Sequence, residues 1–327
     1  MKKMKATGKA LKPKKNMTGS GFLLIITIAL FVVMYVAGMI VFGDKGFAKP
    51  QMFFNLFVSN AGLIVIAMGE TIIMITAGID ISVGSVTALV CMVIANQMEN
   101  HGASAYTALL MALVIGLLFG LVQGFLVSYL EIQPFIVTLA TMNIARGLAK
   151  VYTGGSPVRV VTKEWQFIGA GYIGPVPVPV IIMIIAIIIT ALMMNKTKLG
   201  RHIYAVGGNT QAAEFSGIKV ARVKFIVHAY AGLMAGLAGI ILASRMYSGQ
   251  PTAGEGAEMD AIAAVVVGGT SMAGGSGKIG GTIIGALIIG VLNNGLNLMN
   301  VNSFWQDVVK GVVILLAVFI DYIRNRK

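Results

Sequence analysis

The chain has a single cysteine, Cys91, among 327 residues. No disulfide can form within it, which excludes a cross-linked secreted scaffold. Charge is also scarce, at 11% against about 25% in soluble globular domains. Acidic residues are the scarcest, with 12 Asp and Glu against 25 Lys and Arg. Disorder needs high charge and few apolar residues, whereas this chain is 57% hydrophobic with mean hydropathy +0.86. Those figures exclude both a soluble globular protein and a disordered one. Histidine is limited to His101, His202 and His228, which lack the spacing of a metal site. Cys91 has no His or acid beside it to activate a thiolate. No catalytic constellation emerges.

The formal net charge is +13, and its placement carries the information. One block is Lys2, Lys3, Lys5, Lys9, Lys12, Lys14 and Lys15, a second runs from Lys196 to Lys224, and a third is Arg324, Arg326 and Lys327. Basic blocks beside apolar runs mark the cytoplasmic loops of a membrane protein. This placement argues against nucleic acid as a partner and for membrane lipid.

A helix crossing a bilayer takes about 20 apolar residues. Ten runs qualify as spans or partial spans: Phe22–Phe42, Met52–Ala77, Val83–Met98, Tyr106–Leu130, Phe135–Tyr152, Val178–Met194, Phe225–Ser244, Ala261–Ala273, Gly280–Leu298 and Phe304–Ile323. The first run is too long for a signal peptide and lacks a small-residue cleavage pattern, so it reads as a retained span. With the N-terminus inside, six crossings return the chain to the cytoplasm at Lys196–Lys224, and four more bring the C-terminus inside. All three basic blocks then share one side. The expected fold class is an all-α integral membrane protein with about ten transmembrane helices, some short or broken. Residues 1–20 form a basic cytoplasmic segment, 21–323 the transmembrane domain with a cytoplasmic loop at 196–224, and 324–327 a cytoplasmic tail.

Two of the runs, Val83–Met98 and Ala261–Ala273, are short and adjoin glycine-rich breaks. Irregular backbone at membrane depth survives only where it packs in protein or lines a wet cavity. The first break, Gly78-Ile-Asp-Ile-Ser-Val-Gly-Ser, carries Asp80 and Ser82, with Glu70 just before it. Ionisable groups at that depth are costly and are kept for function. Glu70, Asp80 and Ser82 are therefore candidates for the translocation pathway; the alternative for Asp80 is a cap on the following helix. The second break follows Asp260-Ala-Ile-Ala-Ala-Val-Val-Val-Gly-Gly and adds Thr270 and Ser271 to the pathway candidates. One break in each half suggests an internal repeat with a site between the halves.

Glycine is abundant, at 41 residues, about twice the usual share of ~7%. Small residues let helices approach closely in lipid, and Gly281–Gly290 reads as such a contact. Gly275-Ser-Gly-Lys-Ile-Gly280 imitates a dinucleotide fingerprint but lacks the strand, the helix and the downstream acid. Gly277-Lys278 is followed by Ile279, so the P-loop pattern fails too. The chain carries no nucleotide motif, so ATP-driven activity would need a partner chain. Arg146 and Lys150 lie one turn apart and either line a polar path or reach to the interface. Asp307 and Lys310 have the spacing of a pair on one helix face. Asn293, Asn294 and Asn297 form a polar stripe, suited to sugar hydroxyls or to helix contacts.

Within the Lys196–Lys224 loop, Asn209 can cap a short helix and Gly217 can end it. That helix either docks a partner or serves as a plain connector.

Together, Gly78–Ser85, the loop Lys198-Leu-Gly-Arg…Gly207-Gly-Asn…Ala212-Ala…Ser216-Gly-Ile and Asp260–Ser271 resemble the permease subunit of bacterial ATP-binding cassette sugar importers. Gln250-Pro-Thr-Ala-Gly and Leu292-Asn-Asn-Gly-Leu-Asn-Leu are most similar to ribose permeases; those for xylose, galactose and galactofuranose share the first motifs. The resemblance spans about Gly21 to Asp321. It implies a second permease copy in a homodimer, a cytoplasmic ATP-binding subunit that uses ATP and magnesium, and an extracytoplasmic sugar-binding protein. No cofactor is expected on this chain, and no catalysis of its own. The resemblance also assigns ATPase coupling to Gly208, Asn209, Ala212, Ala213, Glu214, Phe215, Ser216 and Gly217. Thr153–Pro179 would be a docking surface for the binding protein or an ordered external cap. An ion-coupled secondary sugar transporter using Glu70 and Asp80 is the competing class.

Overall fold

The structure, a computed structural model, describes residues 19–325. The lysine block at 2–15 and residues 326 and 327 lie outside the described residues. Helices dominate: α1 (Gly19–Val41), α2 (Pro50–Ile75), α3 (Val83–His101), α4 (Ala105–Ser128), α5 (Pro134–Val151), α6 (Lys163–Ala170), α7 (Val178–Lys196), α8 (Lys198–Gly208), α9 (Thr210–Phe215), α10 (Val220–Met246), α11 (Ala257–Val267), α12 (Ile279–Leu298) and α13 (Ser303–Asn325). Four two-residue strands make two small antiparallel ladders. One joins β1 (Val158–Arg159) to β4 (Ser248–Gly249), the other β2 (Tyr172–Ile173) to β3 (Val176–Pro177).

Helix starts follow local chemistry. Proline opens α2 and α5, where its missing N–H is not needed and its φ is already helical. The Ser104 hydroxyl accepts the Thr107 N–H at 3.2 Å to cap α4. Among the described residues, seven helices, α1, α2, α4, α7, α10, α12 and α13, are long and apolar enough to cross a membrane.

The other three expected spans fall short of that. Among them, α3 ends in Asn96, Gln97, Glu99 and Asn100, and α5 carries Asn143, Arg146 and Lys150. The Ala261–Ala273 run is only partly helical. Its helix, α11, begins earlier, at Ala257, and stops at Val267, where Gly269 (φ +88°) turns the chain.

Glycine sets the packing. The backbones of α4 and α10 meet at Gly116, Gly120, Gly232 and Gly236: a Cβ at Gly232 would run into the Gly116 carbonyl and lie 2.8 Å from Gly120 Cα. Similarly, Gly281 and Gly285 bring α12 onto Gly268 and the Ala264 carbonyl of α11, and Gly290 packs on Asn60 of α2. Most of α2 and much of α3 are buried, whereas α1, α7 and α13 turn many large apolar side chains outward.

At one end of the bundle, the C-terminus of α2, α8–α9, the turn before α12 and the C-terminal part of α13 converge. The Gly275 N–H donates to the Ile75 carbonyl at 2.9 Å, the Tyr204 hydroxyl to the Gly277 carbonyl at 2.9 Å, and the Met272 N–H to Asp321 Oδ2 at 3.1 Å. The basic stretch 196–224 is at this end. At the opposite end, the β1–β4 ladder and α6 form an ordered cap over Trp165, which is fully buried.

Candidate functional site

The chain leaves α2 through Ala77, whose φ is +60°, and runs non-helically until α3 begins at Val83. Asp80 organises this first break. Its Oδ1 accepts the Ser82 N–H at 2.8 Å and the Ser82 hydroxyl at 2.6 Å, a local turn of the kind Asp favours. Gln123 of α4 donates to Ser82 Oγ at 2.6 Å, and the Asp80 N–H donates to Glu70 Oε1 at 3.3 Å. His228 of α10 gives its Nδ1 to the Lys224 carbonyl at 2.9 Å and is near enough to Asp80 to interact electrostatically. All five side chains are buried. Three of the sequence candidates, Glu70, Asp80 and Ser82, thus form one network; Asp80 closes a turn onto Ser82, which is itself the N-cap residue of α3, rather than capping that helix directly. Sequence reasoning passed over Gln123 and His228. Their signal was a lone polar group within an apolar helix.

Thr270 and Ser271 are also buried, in the second break. The Ser271 hydroxyl donates to Asp321 Oδ2 at 3.1 Å, and a Cβ at Gly277 would lie 2.7 Å from Thr270 Oγ1. The two breaks touch through backbone: a Cβ at Gly274 would lie 2.9 Å from Ala77 Cβ.

Near both breaks, α8 ends and α9 begins. Asn209 Oδ1 accepts the Ala212 N–H at 2.9 Å, capping α9, and Gly217 ends it with φ +81°. Of the eight residues assigned to coupling by resemblance, only Ala213 is buried. Phe215 is 92% exposed. Tyr204, on the amphipathic α8, has its hydroxyl pushed above its ordinary value by burial, so it stays protonated as the donor to Gly277.

Other polar residues take partners that spacing did not reveal. Lys310 pairs with Asp260 of α11 at 3.2 Å, not with Asp307 on its own helix, because α13 packs along α11. Asn293 Nδ2 contacts the same carboxylate at 3.4 Å, and Asn297 accepts from Gln306 at 2.9 Å. Arg146 is anchored, its Nη1 donating to the Pro251 and Ala253 carbonyls, both at 2.9 Å. Arg245 likewise pins α2, donating to the Val58 carbonyl at 2.7 Å and the Ser59 carbonyl at 3.2 Å.

A model of the branched-chain amino acid transport system permease component family matches residues 52–318. The chain belongs to this permease family. It is 47% identical over 296 residues to a ribose import permease protein of Bacillus subtilis, covering 90% of this chain and 91% of that one. A ribose import permease protein of Escherichia coli is 46% identical over 298 residues, covering 90% and 92%. A D-allose transport system permease protein of Escherichia coli is 37% identical over 310 residues, covering 93% and 90%. No solved structure matches. The protein is a multi-pass membrane transport subunit, as its apolar helices and its family together require.

Proposed function

We propose that the chain is the membrane-spanning subunit of an ATP-driven importer that carries a monosaccharide, D-ribose first, across the bacterial plasma membrane. The observation that carries this reading is the identity of 46–47% to ribose import permeases over 90% of the chain. Allose and xylose permeases are related at lower identity and mark the next sugars to try.

In this reading α3, α5 and α11 join the seven long helices in a ten-helix domain, with the two breaks as related parts of an internal repeat. The α8–α9 end faces the cytoplasm, which the clustering of basic residues there supports, and both termini lie on that side. Two copies form the pathway. A separate cytoplasmic subunit binds ATP and magnesium and docks on α9, while an extracytoplasmic binding protein delivers sugar to the β1–β4 end. Glu70, Asp80, Ser82, Thr270 and Ser271 act as gate residues, buried until the two breaks part. ATP binding shifts the gate only by its differential affinity for the two states.

The test is uptake of labelled D-ribose in a parent strain, a strain lacking this gene and a complemented strain. We expect loss and rescue, with uptake stopped by ATP depletion and not by an uncoupler at constant ATP. Unchanged uptake in the deletion strain would remove ribose from the reading. Collapse with the uncoupler alone would replace the ATP-driven class with an ion-coupled one.

A further inference from the structure

A cavity of about 380 Å³ opens between α8 and the start of α10, at the basic end of the bundle. That volume is within the range of about 300–1,000 Å³ usual for small-molecule sites. Its lining carries two permanent cations, Lys219 and Arg222, and the His202 ring of α8. Leu199, Val223 and Ile226 supply an apolar wall, and the turn after α9 completes it. No carboxylate lines the cavity.

Three features set it apart from an ordinary solvated surface. First, its positive charge is uncompensated. Among the described residues, Lys219, Arg222 and His202 make no ion pair and no side-chain hydrogen bond. Helix α10 begins after Lys219 with no side-chain cap and no acid in its first turn, so the positive end of its dipole adds to the same potential. Second, charge and hydrocarbon share one hollow. Lys219 and Arg222 are exposed, whereas Val223 is buried and Leu199 and Ile226 are half-buried. Third, the cavity lies at headgroup depth. Helix α10 has 27 residues and is about 40 Å long. The hydrocarbon core of a bilayer is about 30 Å thick, and about 40–45 Å with its headgroups. The first turn of α10 therefore lies in the headgroup layer. Helix α7 ends beside it in sequence at Lys196, after Ile188, Ile189 and Leu192 have turned outward, and α8 follows directly.

We propose that this cavity holds the headgroup of an anionic phospholipid. The phosphate oxygens accept from the Arg222 guanidinium, whose fork matches them, from Lys219 and from the His202 ring N–H. The glycerol and first acyl carbons cover Leu199, Val223 and Ile226. Inorganic phosphate satisfies the charge but leaves the apolar wall in water. A zwitterionic lipid brings its own cation toward Lys219 and Arg222. The bound lipid bridges α8 and α10, the two helices that flank α9. This contact is independent of the sugar carried.

The test uses the purified full chain in neutral detergent. Thermal unfolding is followed while dihexanoyl phosphatidylglycerol, dihexanoyl phosphatidylcholine or inorganic phosphate is added; a ligand that binds only the folded chain raises the midpoint. We expect phosphatidylglycerol to raise it and the other two not to. An equal response to phosphatidylcholine or to phosphate overturns the lipid assignment, and these parent titrations decide it even where a variant fails to fold. Each cation near an anionic headgroup is worth about fivefold in affinity. Lys219→Gln with Arg222→Gln should therefore weaken phosphatidylglycerol binding about thirtyfold. Lys219→Arg with Arg222→Lys should keep it. Arg159→Gln with Lys163→Gln removes the same charge from exposed positions at the opposite end and should bind as the parent does. Undiminished binding in the Lys219→Gln, Arg222→Gln chain overturns the site, as does an equal loss in the Arg159→Gln, Lys163→Gln chain. In nanodiscs of phosphatidylcholine alone, the ATP-binding subunit should dock equally on the parent and on Lys219→Gln, Arg222→Gln. Weaker docking on the variant would assign these cations to that partner and overturn the lipid site.

Discussion

Phe215 projects from α9 at 92% exposure, so it contributes almost nothing to the packing of its own chain. A surface substitution of this kind changes stability by less than about 0.5 kcal/mol. Phe215→Ala should therefore leave expression and melting of the isolated permease unchanged. Its effect should appear only against a partner. Fully burying a large apolar side chain is worth about 1.5–3 kcal/mol, which is about ten- to a hundredfold in a dissociation constant. We expect the ATP-binding subunit to bind the variant more weakly by that factor, read by titration in lipid nanodiscs, and uptake to fall in parallel at subsaturating ATPase. The neighbouring Ala213, buried against the rest of the chain, provides the contrast: Ala213→Glu should lower melting itself. Parent-like affinity and parent-like uptake with Phe215→Ala would falsify the assignment of α9 as the docking element.

Two further perturbations probe the scaffold. Gly232→Leu forces a side chain into the Gly116 carbonyl; overpacking of this sort costs about 1–3 kcal/mol or more. Thermal unfolding should drop sharply, whereas Gly280→Leu, which meets nothing within 4 Å, should leave it in place. Asp80→Ala deprives both the Ser82 N–H and its hydroxyl of their acceptor, at about 1–3 kcal/mol for each buried group left unpaired. Gln123→Leu removes a single donor to Ser82, at about 0.5–1.5 kcal/mol, so melting curves should rank Asp80→Ala as clearly the more damaging; equal losses would refute the network.

The seven long spans were legible because an uninterrupted apolar run of that length has few other uses. Their ends were less so. The short span expected at Ala261–Ala273 has shifted bounds in α11, Ala257–Val267, because hydropathy counts Gly268 and Gly269 as neutral while backbone geometry makes them a turn. Asn209 and Gly217 were legible because capping is local chemistry, read from adjacent residues. Pairing was not. Spacing on one helix suggested Asp307 for Lys310, but α11 brings Asp260 to it from 50 residues away. Arg245 finds its carbonyls 187 and 186 residues back along the chain. No periodicity within a helix encodes such partners.

The contacts around Gly207 link the short exposed helix to the two buried breaks physically, which the proposed coupling requires. Gly207, near the end of α8, sits where a Cβ would strike the Ile75 carbonyl and lie 2.6 Å from the Gly275 N–H. A Cβ at Gly274 would in turn lie 2.8 Å from the Gly207 carbonyl. Three backbones from separate parts of the chain thus meet with no side chain between them: the end of α2 that leads into the first break, the second break and the helix that carries α9. Close-packed interiors transmit displacement rather than absorb it. In the proposed coupling, a force applied to α9 would pass through α8 to both breaks, and side-chain rotation at this glycine junction would not dissipate it. Glycine at 207, 274 and 275 is what permits that contact, so in the proposed coupling the residues that look least chemical in the sequence would decide whether a push on the surface reaches Asp80 and Thr270.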